Sequence, residues 1–141
     1  MAIWKHLASV EDLNRLCDNS MVSHIGIEFT EIGENYICAK MPIAYHTHQP
    51  DGLLHGGASV VLAETLGSIA SNLCIDRNTK FCVGLDINAN HIRSERSGHV
   101  IGTTRPVHLG ASTHIWEIKI KNEKKSLVCI ARLTIAVLEK T

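Results

Sequence analysis

The chain has 141 residues, enough for one domain spanning 1–141 that buries most of the surface an unfolded chain exposes. Its 14 Lys plus Arg balance 14 Asp plus Glu, which argues against nucleic acid or an anionic membrane surface as the main partner, a local basic patch aside, and points to a small molecule. Outside one helical segment no charge-free run of about 18 apolar residues occurs, and the N-terminal MAIWKHLASVEDL has no signal-type apolar core, so a cytoplasmic protein without an export signal is expected.

Val10 to Asp18 has helical spacing, with Ser9 as N-cap and Leu13 and Leu16 as the buried positions. Ile25, Ile27 and Phe29 alternate with polar neighbours, and Ile37, Ala39 and Met41 do so after a turn at Gly33, Glu34 and Asn35. That pattern predicts an antiparallel hairpin ended by Pro42. A polar, His-containing loop from Ala44 to Leu54 leads to paired glycines and then to a long apolar helix. Asp76 to Lys80 makes a turn, and four strands follow. Val83, Leu85, Ile87 and Ala89 share one face of the first, and Val100 to Val107 forms the second. Trp116, Ile118 and Ile120 alternate with Glu117, Lys119 and Lys121 in the third, which gives one face to the core and one to water. The fourth, Leu127 to Leu138, follows a short charged turn at Asn122 to Lys125. The predicted class is α+β, one antiparallel sheet of about six strands wrapped around a central helix. The five cysteines are odd in number and scattered among apolar residues, so they read as reduced core thiols, and none has the basic neighbour a catalytic thiolate needs.

The stretch QPDGLLHGGASVVLAETLGSIASNLCI, from Gln49 to Ile75, organises the rest. From Gly57 onward it reads as a helix of about five turns, buried on most sides, and Glu64 is its only charge. A carboxylate in such a helix costs several kcal/mol unless it is paired or put to use. It can be a satisfied structural group. Ser68 and Ser71 follow at one-turn intervals, however, so a polar stripe headed by Glu64 is expected.

The string HQPDGLLHGGASVVLAE followed by GLDINANHIRS resembles the hotdog-fold acyl-CoA thioesterases of the 4-hydroxybenzoyl-CoA and phenylacetate-pathway type. Within that group it is most similar to bacterial 1,4-dihydroxy-2-naphthoyl-CoA hydrolases, enzymes of menaquinone biosynthesis, and their broad-specificity relatives. The resemblance implies that Glu64 is nucleophile or general base, that Gly56 N–H polarises the thioester carbonyl, and that Gln49 helps hold that carbonyl or the water. His55 would orient the loop or bond near the thioester, and Ser68 would orient Glu64. These roles make physical sense, since a thioester needs an activated oxygen on one side and positive dipole at its carbonyl on the other. The nucleotide arm of CoA would meet Gly84, His91, Ile92, Arg93 and Ser94, and then the hairpin His108, Leu109, Gly110, Ala111, Ser112 and Thr113. Arg93 is the phosphate donor of this set, although a lone surface arginine is more often simply solvated. The implied partners are acyl-CoA and a second copy of the chain, with active sites shared in a homodimer that assembles into a homotetramer. No cofactor and no metal are implied.

Gly56 and Glu64 are eight positions apart, about 12 Å along a helix, so one helix cannot serve one carbonyl with both. Two antiparallel helices could. Two positions depart from close relatives: Asp51, often aromatic there, would disfavour anionic acyl groups from the pocket edge, and the hairpin lacks a basic residue at Ser112 or Thr113. Three rival readings remain. His46, His48, Asp51 and His55 could ligate zinc or iron; His55 and Glu64 could serve a hydroxyacyl dehydratase; or the pocket could belong to a non-catalytic acyl-CoA sensor.

Overall fold

Ser9 opens the first helix, α1 (Val10–Leu16), by a reciprocal cap: its Oγ accepts the Asp12 N–H and the Asp12 carboxylate accepts the Ser9 N–H, each at 3.0 Å. This geometry comes from a computed structural model that describes all residues 1–141. Leu13 is buried, but Leu16 is exposed, contrary to expectation. The inward pair is Leu13 and Cys17, spaced by four, because α1 ends at Leu16 and Cys17 turns beneath it. A second helix, α2 (Met21–His24), capped by Ser20, was not expected; four residues are too few for a periodicity to show. Ile25 and Ile27 therefore lie in the exit from α2, around Gly26 at φ +87, rather than in a strand.

Strands β1 (Glu28–Ile32) and β2 (Ile37–Pro42) form the predicted hairpin, and Phe29, Ile37, Ala39 and Met41 are buried. After the long helix α3 (Gly56–Leu73) come β3 (Lys80–His91), β4 (His99–Leu109), β5 (Thr113–Asn122) and β6 (Leu127–Glu139). The six strands make one antiparallel sheet in the order β1-β2-β4-β5-β6-β3, with α3 packed on one face. In β5 the alternation holds: Trp116, Ile118 and Ile120 are buried while Lys119 and Lys121 face water. The β5–β6 turn closes through the Asn122 side-chain oxygen, which accepts the N–H groups of Lys124 and Ser126 at 3.0 and 2.9 Å.

Leu62, Ala63, Leu66, Gly67 and Ala70 press α3 onto the sheet. A Cβ at Gly67 would stand 2.5 Å from Leu133 Cδ2, so any larger residue would force the buried Leu133 side chain to shift. The opposite face of α3 is open, which corrects the expectation of a helix buried on most sides: Glu64 is exposed, and Val61, Thr65, Ser68 and Ile69 are half-buried. The polar stripe also divides. Ser71 is fully buried, and its Oγ accepts from Trp116 Nε1 at 2.6 Å and lies 3.0 Å from His114 Nδ1.

Val83 and Leu85 are likewise exposed rather than on the core face. Gly84 pairs with Ile135 and Asp86 with Thr134, so Leu85 is an inserted residue, and this bulge reverses the side-chain phase. Cys82, Ile87 and Ala89 then face α3. All five cysteines are free thiols, and burial pushes Cys74 up to about 11.

Two predictions arise from buried polar groups. The Thr104 hydroxyl is buried with no hydrogen-bond partner, so Thr104→Val should raise stability by about 1 kcal/mol, seen as a higher urea midpoint. A loss of similar size would show that the hydroxyl has a partner. Burial first, and then the charges of His108 and Lys80, hold His114 below its ordinary 6.5. The unfolded chain therefore binds that proton more readily, so this contribution is full above about 6.5 and is lost as pH falls. Urea midpoints should drop between neutral and mildly acid pH, and His114→Gln should flatten that drop.

Candidate active site

The loop before α3 is laced to the body by its backbone. Thr47 Oγ1 donates to the Pro42 carbonyl at 2.8 Å, the His55 N–H reaches the Thr47 carbonyl at 2.8 Å, and the Leu54 N–H reaches the Glu95 carbonyl at 2.8 Å. Gln49 Oε1 accepts the N–H groups of Asp51 (2.6 Å) and Leu53 (3.1 Å), so its oxygen is committed to the loop and its amide N–H groups are left to donate elsewhere. His55 is the N-cap of α3, with Nδ1 accepting the Gly57 N–H at 2.7 Å. That nitrogen is therefore unprotonated. The Gly56 N–H has no acceptor within the chain and sits at the positive end of an 18-residue helix.

His91 closes over this helix start. A Cβ on Gly56 would lie 2.8 Å from His91 Nε2, so the glycine makes room for the ring. Gln49, Gly56, His91, Ile92, Arg93 and Ser94 together border a cleft of about 340 Å³. An unpaired N–H beside an amide donor is suited to a carbonyl oxygen.

Glu64 and Ser68 lie elsewhere, in a mostly apolar cleft of about 380 Å³ between α3 and the α1–α2 segment, walled by Cys17, Met21, Val22, Val61 and Ile69. The carboxylate rests above β3: Glu64 Oε2 is 3.1 Å from where a Cβ on Gly84 would stand, so a larger residue there would press on it. Ser68 borders the same cleft, and its carbonyl accepts from Asn72 Nδ2 at 2.9 Å.

The expected CoA contacts fall into two groups that one chain does not unite. His91 pairs with Cys129 at the start of β6, whereas Thr113 pairs with Ala136 near its end. Positions 129 and 136 are seven residues apart, about 23 Å along a strand. The tip His108 to Thr113 is held by the Gly110 N–H on the Thr113 carbonyl and the Val137 N–H on the Ser112 carbonyl, both at 2.9 Å. Gly84 lies toward the hairpin end of β3.

Asp51 is exposed and borders neither of these clefts within one chain. Its carbonyl accepts from Arg96 Nη1 at 3.4 Å, and the Arg96 carbonyl is 2.9 Å from His48 Nε2. Arg96 thus braces the Gln49 loop, a role the sequence did not show because the two loops meet only in the fold. His48 and His55 are engaged with backbone and His46 packs edge-on to Tyr45, so these residues do not converge, and no group of three His, Cys, Asp or Glu is placed to hold a metal. No helix is long and apolar enough to cross a membrane.

Residues 51–129, more than half of the chain, match the Thioesterase superfamily, and the chain belongs to that family. It is 49% identical over 136 residues to the 1,4-dihydroxy-2-naphthoyl-CoA hydrolase of Escherichia coli (strain K12), covering 96% of this chain and 99% of that one. The fold superposes on a thioesterase from Pseudomonas aeruginosa with a TM-score of 0.97 at 47% identity, covering 99% of this chain and 100% of the other. A thioesterase from Haemophilus influenzae gives 0.94 at 50% identity, covering 97% and 95%. The six-stranded antiparallel sheet with its packed helix is the hotdog fold, and the protein is a thioester hydrolase.

Proposed function

We propose that the chain hydrolyses aromatic or medium-chain acyl-CoA, with 1,4-dihydroxy-2-naphthoyl-CoA among its substrates, at sites assembled from two copies. The observation that carries this reading is the separation of the donors around Gly56 from the carboxylate of Glu64. Each cleft holds half of what thioester hydrolysis needs. An edge strand supplies the means to join them: β3 is 12 residues long, has one free edge, and exposes Phe81, Val83 and Leu85. A free edge of this length calls for a cover. Antiparallel pairing of two β3 strands about a two-fold near Ile87 and Asn88 brings the His91 end of one copy beside the Gly84 end of the other. Gly56 and Gln49 of one copy then approach Glu64 of its partner, and His91 to Ser94 approach the partner's His108 to Thr113.

In that site Gly56 N–H and the Gln49 amide hold the carbonyl oxygen as it gains negative charge. Glu64 takes a proton from water as the water oxygen bonds to the carbonyl carbon, or attacks that carbon itself to give a mixed anhydride that water then hydrolyses to free acid and Glu64 carboxylate. The C–S bond breaks, and CoA leaves as thiolate and takes up a proton. His55 keeps the Gly57 N–H occupied and so fixes the helix mouth around Gly56. Arg93 faces the CoA phosphates, and the apolar cleft beside Glu64 takes the acyl group. Dimers of this kind pair further into a homotetramer. Thiol release from benzoyl-, 1,4-dihydroxy-2-naphthoyl-, hexanoyl- and acetyl-CoA tests the proposal: the aromatic and medium-chain thioesters should be cleaved faster than acetyl-CoA. Equal or faster cleavage of acetyl-CoA would remove the proposed acyl preference.

A further inference from the structure

We infer that the acyl site continues past Glu64 along α3 and ends at a cationic rim, Arg77 and Lys140, fitted to acyl groups that carry a carboxylate at their far end. The inference rests on the reading of the Glu64 cleft as the acyl site. Beyond that cleft lies a second, of about 500 Å³, walled by Leu13, Leu16, Ile69 and Leu73 together with the polar His6 and Asn72, and bordered by Arg77 and Lys140. Ile69 belongs to the wall of both, so the two abut. Their roof is also continuous, since Leu13, Leu16 and Cys17 follow one another along α1 and its cap. Their floor is the open face of α3, where Val61, Glu64, Ser68, Ile69 and Leu73 recur at helical spacing.

The chemistry changes along this path. Near Glu64 the walls are apolar, and at the far end they turn cationic with no acidic residue on the border. Lys140 Nζ donates to the Arg77 backbone carbonyl at 2.5 Å, which holds that ammonium at the base of Arg77. The Arg77 guanidinium takes part in none of the ion pairs of the chain. Its neighbour Asp76 directs a carboxylate oxygen to the Asn78 N–H at 3.0 Å instead. An unpaired guanidinium is the side chain best matched to a carboxylate, which it can bind through two parallel hydrogen bonds. From Glu64 to Leu73 is nine residues, about 14 Å along the helix, a span suited to a medium-length chain. A neutral chain of that length would leave its methyl end against charge, whereas an ω-carboxylate would find a partner there.

The test compares kcat/KM for sebacoyl-CoA, decanoyl-CoA and benzoyl-CoA in the wild-type protein, in the double variant Arg77→Ala, Lys140→Ala, and in Arg77→Lys. Sebacoyl-CoA should exceed decanoyl-CoA by roughly tenfold in the wild type, the scale of one hydrogen bond to a charged group. The double variant should lose that preference while cleaving benzoyl-CoA as before, and Arg77→Lys should keep part of it. Wild-type cleavage of benzoyl-CoA without a preference for sebacoyl over decanoyl overturns the inference and leaves the thioesterase reading intact. Equal losses on all three substrates in the double variant also overturn it. Failure to release thiol from any of the three overturns both readings together.

Discussion

Glu64→Ala is expected to abolish nearly all thioester hydrolysis while leaving the chain folded. Glu64 is the only ionisable group on α3, it borders the apolar cleft proposed to take the acyl group, and it is the only carboxylate there. Its removal leaves the carbonyl without an activated oxygen. The fold should not suffer. Glu64 is exposed in the single chain and makes no hydrogen bond or ion pair that anchors α3, and alanine is at least as good a helix former. Far-ultraviolet circular dichroism should therefore match the parent while kcat falls by orders of magnitude. A variant keeping more than about a tenth of the parental kcat, a cost of roughly 1.4 kcal/mol in barrier, would take the central chemical role away from this carboxylate.

Two inactive variants are expected to restore activity when mixed. Gln49→Ala removes an amide donor beside Gly56, and Glu64→Ala removes the carboxylate, so each homodimer should be inactive at both of its sites. After subunits exchange in mild denaturant, a mixed dimer should carry both lesions in one site and neither in the other. Random exchange makes about half of all dimers mixed, each with one intact site, so activity should recover to about a quarter of the wild-type level. If Gln49 and Glu64 serve one site within a single chain, every site keeps a lesion and the mixture stays as inactive as its parents. The geometry favours recovery, because Gly56 and Glu64 lie eight residues apart on one helix, and Gln49 and Glu64 border different clefts.

Much of this fold was legible in the chain because its signals are local. The Ser9 cap, the β1–β2 hairpin, the alternation of Trp116, Ile118 and Ile120, and the turn at Asn122 each depend on residues a few positions apart. Motif spacing also marked Gln49, Gly56, His91, Arg93 and Ser94, which the fold brings to one cleft. Failures came where a distant partner decides the outcome. Leu16 and Cys17 are both apolar, and only the packing of α1 in the folded chain, chiefly against β1, selects Cys17 as the inward one. A strict period of two put Val83 and Leu85 on the core face, and one inserted residue, visible only in the pairing with β6, turned them outward.

What the sequence determined by itself was the element order apart from α2, the thioesterase motif and the presence of one carboxylate on one long apolar helix, since these follow from side-chain type and spacing along the chain. The tertiary structure alone decided that α3 is covered on a single face, that Glu64 and Gly56 open into separate clefts, and that the expected CoA contacts sit at opposite ends of β6. The physical reason is that a helix or strand is specified by neighbours within a turn or two, whereas the face it buries is chosen by whatever packs against it. One chain has no second partner to offer the open side of α3 or the free edge of β3.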